Sequence, residues 1–172
     1  MLKWSSLLLG ALWIVASSTS TSAQVHGPEP GYQDDRSTAE SVIGSYFDAV
    51  NRREYSRAYS YWEPAAAVSQ LAPFDQFVAG YADTAGVDLT LGDIGSGVGA
   101  GQLYFTVPVT LVATMSDGSV QTFVGCYTLH IGRPQIQAVP PFQPLAIQRA
   151  SIQQVDNDAD TAGLLSQSCP TV

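Results

Sequence analysis

The hydropathy period of this chain changes once, at Gly86, and that change constrains the fold more than any other feature. Upstream, apolar side chains return every three or four residues, as on one face of a helix. Downstream they alternate, as on a strand. Helices first and strands afterwards pack as separate layers, which is α+β and not alternating βαβ.

The helical half starts at Ser37-Thr38-Ala39-Glu40, a serine three residues before a glutamate, which reads as a capping box. Val42, Ile43, Tyr46, Phe47 and Val50 then fill one stripe. A second helical piece shows Tyr55, Ala58, Tyr59 and Trp62 and stops before Pro64. A third opens at Pro73, a favourable first-turn residue, and shows Phe74, Phe77, Val78 and Tyr81. The strand half contains Val87 to Leu91, Leu103 to Leu111, Phe123 to Ile131, and a poorly alternating run from Leu145 to Val155. The expectation is three N-terminal helices packed on a curved antiparallel sheet of about four strands, a cone or roll. Gly95, Gly97, Gly99 and Gly101 read as a flexible connection: a strand follows them, and there is no helix N-terminus for a phosphate. Four prolines between residues 134 and 144 predict a stiff connection before the last strand.

Asp117-Gly118 is a strong hairpin signal. With these as a two-residue loop, Ser116 opposes Ser119. Val109 then faces Cys126, Phe105 faces His130 and Pro108 faces Tyr127. One face would carry Leu103, Phe105, Val107, Val109, Leu111, Val120, Val124, Cys126 and His130. The other would carry Tyr104, Val112, Phe123, Tyr127, Leu129 and Ile131. Both are largely apolar, so the sheet needs cover on both sides: helices on one, and the tail or a second subunit on the other.

The ends of the chain speak to compartment. Residues 1–23 show Lys3, an apolar run from Leu7 to Ala16 and the small residues Thr21-Ser22-Ala23, which is the pattern of a cleaved secretory signal. A helix of that run would be about 15 Å long, half a bilayer core, so no stable membrane span is expected after cleavage. Residues 24–36 hold two prolines and two glycines and read as a flexible linker. Residues 37–155 form the expected domain, and residues 156–172 a C-terminal tail. Cys126 and Cys169 are the two cysteines, and in an oxidising compartment they suggest one disulfide tying that tail. The acidic balance, 15 acids against 7 bases, argues against nucleic acid.

Candidate chemistry is sparse. Nine aromatic residues between 46 and 81 suggest an aromatic pocket, with Tyr46, Tyr59, Trp62, Phe77 and Tyr81, joined by Tyr127 from the sheet, as ligand-pocket candidates. Asp48 and His130 are the acid/base candidates, with Asp83 or Asp88 available to orient the imidazole. Asp75 and Asp93 read as solvated. Asp156-Asn157-Asp158-Ala159-Asp160 imitates the start of a calcium loop, but Thr161 stands where glycine is needed and Gln167 where glutamate is needed. Asp160 is better read as the cap of a short helix around Ala162 to Ser166. No catalytic residue, metal ligand or cofactor is assigned.

Three segments carry a family resemblance: TAESVIGSYFDAVNRREYSRAYSYW, PFDQFVAGYAD and LYFTVPVTLVATMSDGSVQTFVGCYTLHI. Over roughly residues 37–155 the layout resembles the nuclear-transport-factor-2-like superfamily, also called SnoaL-like, a cystatin-like cone. That resemblance implies a helix-lined cone holding a small apolar ligand, and homodimers formed through the sheet. The resulting expectation is a secreted or periplasmic, non-catalytic domain that binds a small ligand or a protein. An isomerase, dehydratase or cyclase with a Tyr/Asp or Tyr/His pair in the cone is the alternative. A structural accessory domain of an envelope complex is a further one.

Overall fold

Residues 31–66 and 70–170 are described here from a computed structural model. The leader, His26 and most of the linker lie outside the described residues. The elements run α1 (Ala39–Asn51), α2 (Tyr55–Ser60), α3 (Phe74–Gly80), β1 (Thr84–Leu91), β2 (Gly95–Gly99), β3 (Gln102–Met115), β4 (Val120–Gly132), a 3-10 turn at Pro134–Ile136, β5 (Ala146–Val155) and α4 (Thr161–Leu165). Helices precede strands, as the change of period requires, and the fold is α+β.

Local chemistry sets the boundaries. Thr38, not Ser37, caps α1: its side chain accepts from the Ser41 N–H at 3.0 Å. Ser37 instead donates its N–H and hydroxyl to Asp35. The cap is therefore one residue later than the box pattern indicated. Arg53, with φ +58°, ends the first helix. Asn51 joins that end to β1, donating to the Val87 carbonyl and accepting the Val87 N–H at 2.9 and 2.7 Å.

The sheet is antiparallel in the order β1-β3-β4-β5, and β2 also pairs with β3. It has five strands where about four were expected. The addition is β2, in the glycine-rich segment read as a loop. Its residues pair from Gly95 opposite Thr106 to Gly99 opposite Gln102. A ladder needs only backbone donors and acceptors, and this stretch of β3 would otherwise be an open edge. On the far side, β5 pairs with β4, and the chain at Trp62 adds one parallel bridge to Ile147.

The β3–β4 register corrects the hairpin arithmetic. Met115 N–H donates to Ser119 O at 2.8 Å, and Gly118 adopts φ +84°, so the loop has three residues, Ser116 to Gly118. A left-handed glycine at the third position is the usual solution for that length. Every pair shifts by one: Val109 opposes Gly125, Phe105 opposes Leu129, and Pro108 opposes Cys126. The shift sorts the side chains cleanly. Val107, Val109, Leu111, Ala113, Tyr127 and Leu129 share one face and join the main core with Val42, Ile43, Tyr46, Phe47 and Val50 of α1. The opposite face carries Thr106, Pro108, Thr110, Val124 and Cys126, all buried, and is more polar than expected.

The tail covers that second face. Cys126 and Cys169 form a disulfide with Cα atoms 5.1 Å apart. Helix α4 begins at Asp160, whose carboxylate accepts from the Gly163 N–H at 3.1 Å, as the capping pattern indicated. Asn157, in the calcium-like run, bonds to Thr122 and to the Val120 carbonyl, tying the turn to β4.

An ionic hub fixes the start of the domain. Arg57 donates to Asp48 at 2.6 Å, to Glu54, and to the Gln33 carbonyl, and its guanidinium lies 4.5 Å from the Tyr32 ring centre. Asp35 N–H donates to Ser45 Oγ at 2.9 Å, and Arg36 to Ser60 O at 3.0 Å. From Tyr32 onward the chain is therefore held against α1 and α2. Burial pushes the Asp48 carboxyl up, but hydrogen bonds from Arg57, Arg52 and the Gln33 N–H outweigh it and hold its pKa below the ordinary value.

Asp48→Asn tests this hub. Loss of the charged hydrogen bonds is expected to cost about 1.5–3 kcal/mol at neutral pH. A carboxyl whose folded pKa is depressed stabilises above its unfolded pKa, about 3.9, and loses that contribution as the pH falls through the folded value. The gap between wild type and variant should therefore shrink below about pH 4. Urea titrations across that range check it; a gap independent of pH would refute the assignment.

Candidate functional site

Two cavities flank Trp62. The first lies between α1, α3 and the helix-facing side of the sheet and encloses about 400 Å³. Tyr46 and Phe47 enter from α1, Phe77 from α3, Tyr81 from just beyond it, and Leu111, Ala113 and Tyr127 from β3 and β4. The aromatic rings meet edge to face, with Tyr46 at 6.3 Å from Trp62 and 6.1 Å from Tyr127.

Polar side chains interrupt this apolar lining, Gln70, Thr84 and Gln121 among them. The hydroxyls of Tyr46 and Tyr81 share a hydrogen bond of 2.8 Å. Trp62 is nine-tenths buried, and its indole N–H is directed to the Tyr46 phenol, where it opposes the upward push of burial on that group. Burial pushes the Tyr46 and Tyr127 phenols well above the ordinary tyrosine value, with the neighbouring tyrosines adding to it, and it also raises Tyr81. Near neutral pH these hydroxyls keep their protons. They can donate to a bound acceptor and are poor bases. The described lining of this cavity has no carboxylate, imidazole, lysine or arginine.

The second cavity is larger, about 700 Å³, and opens between the chain from Tyr59 to Ala65, the end of β4, and the segment leading into β5. Tyr59, Trp62, Leu71, Ile131, Pro144 and Ala146 give it apolar walls, and Arg36, Glu63 and His130 give it charge. The His130 ring is fixed on three sides. Its Nδ1 bonds to Glu63 Oε1, its Nε2 lies 2.6 Å from Gln102 Oε1, and its face stacks on Tyr104 with ring centres 4.9 Å apart.

The residues singled out in the sequence thus separate. Tyr46, Trp62, Phe77, Tyr81 and Tyr127 line the first cavity, while Tyr59 lines the second. Asp48 sits in the ionic hub and lines neither cavity. His130 is held by Glu63 and not by Asp83 or Asp88, both of which are exposed, as are Asp75 and Asp93. Glu63, Gln102 and Arg36 were not anticipated. Glu63 is 67 residues from His130 in sequence, and the Trp62–Ile147 bridge, together with the pairing of His130 with Ala146, brings the two together. No spacing rule carries that information.

Fold and cavity define the class: an α+β domain with helices on an antiparallel sheet and an aromatic cavity between the layers. This layering is the one that the resemblance drawn from the sequence implies. Among solved structures, the chain is similar to a "putative dehydratase from the NTF2-like family" of Streptomyces avermitilis, at 12% identity and a TM-score of 0.45, covering 66% of this chain and 92% of that one. It is also similar to a SEC-C motif containing protein from Rhodopseudomonas palustris, at 13% identity and a TM-score of 0.46, covering 66% and 77%. No protein-family model matches the chain, and no curated protein matches it. No residue role passes from the two solved structures to this chain.

Proposed function

We infer that this is an exported, non-catalytic binding domain that holds a small, uncharged, largely apolar molecule in the cavity between helices and sheet. The observation that carries the reading is the aromatic cavity itself, into which the buried Trp62 indole and the Tyr46–Tyr81 hydroxyl pair set a few polar groups. Few polar groups in an aromatic lining suit a ligand with one hydrogen-bond acceptor on a ring or acyl body. The high pKa of the phenols supports binding over proton transfer. Export rests on the leader pattern, with which the disulfide agrees.

Titration with the uncharged fluorophore N-phenyl-1-naphthylamine tests the reading. Saturable binding with one site per chain is expected. Ala113→Phe puts a ring into the cavity from β3 and should weaken binding at least about tenfold, a loss of about 1.4 kcal/mol. Linear, non-saturating uptake by the wild type, or unchanged affinity in a folded A113F variant, would refute it. Native mass spectrometry of protein purified from its own host would then identify the retained molecule.

A further inference from the structure

A third pocket, of about 410 Å³, lies on the outer face of the sheet and shares no lining residue with the two cavities beside Trp62. A bulge builds it. Thr128 pairs with Arg149 and Leu129 with Ile147, so Gln148 is an extra residue in β5. Ile147 keeps its place in the core, while Gln148 and Arg149, although consecutive, both line the pocket. Thr106 and Thr128, paired across β3 and β4, form the floor together with Cys126. The disulfide brings Ser168 and Pro170 of the tail alongside as a wall.

The polar groups of this pocket are unused. The side chains of Arg149, Gln148, Thr106, Thr128 and Ser151 and the Tyr104 hydroxyl make no hydrogen bond or ion pair among the described residues. Ser168 donates to the Leu165 carbonyl and keeps its oxygen free to accept. Arg36, Arg52 and Arg57, by contrast, are held by a carbonyl or by Asp48. No carboxylate lines the pocket. The chain carries −8 overall, but from Ile94 to Val155 its sole acid is Asp117. That residue lies in the hairpin loop beyond β3, roughly 30 Å from Thr106 at about 3.3 Å per residue. Within the pocket the formal charge is one unpaired guanidinium.

We propose that this pocket is a second ligand site, one that takes a small hydroxylated carboxylate, such as a sugar acid. The planar fork of Arg149 matches the two oxygens of a carboxylate. The hydroxyls of Thr106, Thr128, Ser151 and Tyr104 each donate and accept, as the hydroxyls of a polyol do, and the Gln148 amide offers one group of each kind. Charge and hydroxyls select together. An amine of the same shape would meet Arg149 with like charge, a neutral sugar would leave the guanidinium unpaired, and a bare anion would leave the hydroxyls to water. The site is independent of the aromatic cavity and of what that cavity holds.

Four probes decide the matter. Glucuronate, glucose and glucosamine share a ring and differ in charge, and acetate carries the charge without the ring. Glucuronate is expected to bind at least about tenfold more tightly than glucose or acetate, and glucosamine not measurably. Raising the salt from about 10 to 300 mM should weaken glucuronate and leave glucose unchanged. Glucuronate should shift the amide resonances of Thr128, Arg149 and Ser151 and leave those of Phe77 in place. Arg149→Gln should bring glucuronate down to the affinity of glucose. Thr128→Val keeps the shape and removes a hydroxyl, so it should weaken glucuronate and spare acetate, while A113F should affect neither. If R149Q does not fold, the probe series and the salt dependence on the wild type decide alone. Equal binding of glucuronate and glucose, acetate binding as tightly as glucuronate, no saturation by glucuronate below about 10 mM, a folded R149Q with undiminished preference for it, or shifts confined to Phe77 would each overturn the assignment. Loss of fluorophore binding in the aromatic cavity would refute the other reading and leave this one standing.

Discussion

Gly125→Val is expected to leave the chain without a cooperative unfolding transition at room temperature. Gly125 sits in the middle of β4, opposite Val109 on one side and Ile152 on the other. A Cβ built there would lie 2.2 Å from the Ser151 carbonyl oxygen and 2.7 Å from Ile152 Cα. Both obstacles are backbone, so no side-chain rotation relieves them. Strands β4 and β5 would have to separate along a ladder that runs from Thr122 to His130. Ordinary overpacking costs about 1–3 kcal/mol, and prying β4 and the edge strand β5 apart exceeds it. A cost above about 4 kcal/mol removes much or all of a typical domain's 5–15. Even Gly125→Ala meets the same carbonyl and should lower stability strongly. Circular dichroism with thermal and urea scans checks this. An Ala variant melting with the wild type would show that the two strands are free to shift.

Removing the disulfide should have the second largest effect. The double variant Cys126→Ser/Cys169→Ser opens a loop with a sequence separation of 43 residues. Loop-closure entropy for that length corresponds to roughly 4 kcal/mol, and measured losses are commonly 2–4. For a domain of this size that is a fall of about 10 °C in Tm. The five-residue α4 is too short to persist unaided. Its Leu165 side chain lies over Gly92, where the Pro108 ring also packs. Release of the tail should therefore expose Pro108, Thr106 and Thr110 on the outer face and spare the aromatic cavity on the other. Amide exchange should rise in α4 and along the adjoining parts of β3 and β4 while fluorophore binding persists. Identical melting with and without reductant would show that the tail packs without its covalent tie.

The α+β layering was legible because it depends on period alone. The apolar stripe of α1 and the alternation of β3 follow directly from the spacing of Val42, Ile43, Tyr46, Phe47 and Val50, and of Leu103 to Leu111. The cap at Asp160 and the hairpin at Asp117-Gly118 were legible as local chemistry. The register was not. A two-residue loop and a three-residue loop with a left-handed glycine share the same Asp-Gly signal, and a difference of one residue exchanges the faces of a whole strand. Strand β2 was missed because glycines carry no alternation to read, although their backbone pairs as well as any other. At the site, the aromatic residues near in sequence were legible as a cluster, since α1 and α3 bring their own stripes inward. Glu63 and Gln102 around His130 were not, because three separate segments meet there through strand pairing. Arg57 escaped notice for a similar reason: its partners Asp48 and Gln33 lie on two other segments.

The free rail of β5 bears on how the protein behaves in company. Beyond Ile147, no strand pairs with the outer side of β5 among the described residues. Gln148, Arg149, Ser151, Gln153 and Gln154 crowd this stretch, and an incoming foreign strand would have to strip water from amides and a guanidinium to dock. An open backbone ladder of this kind invites fibril seeding when its side chains are greasy. Here they act as bumpers, which raises the cost of one copy templating another.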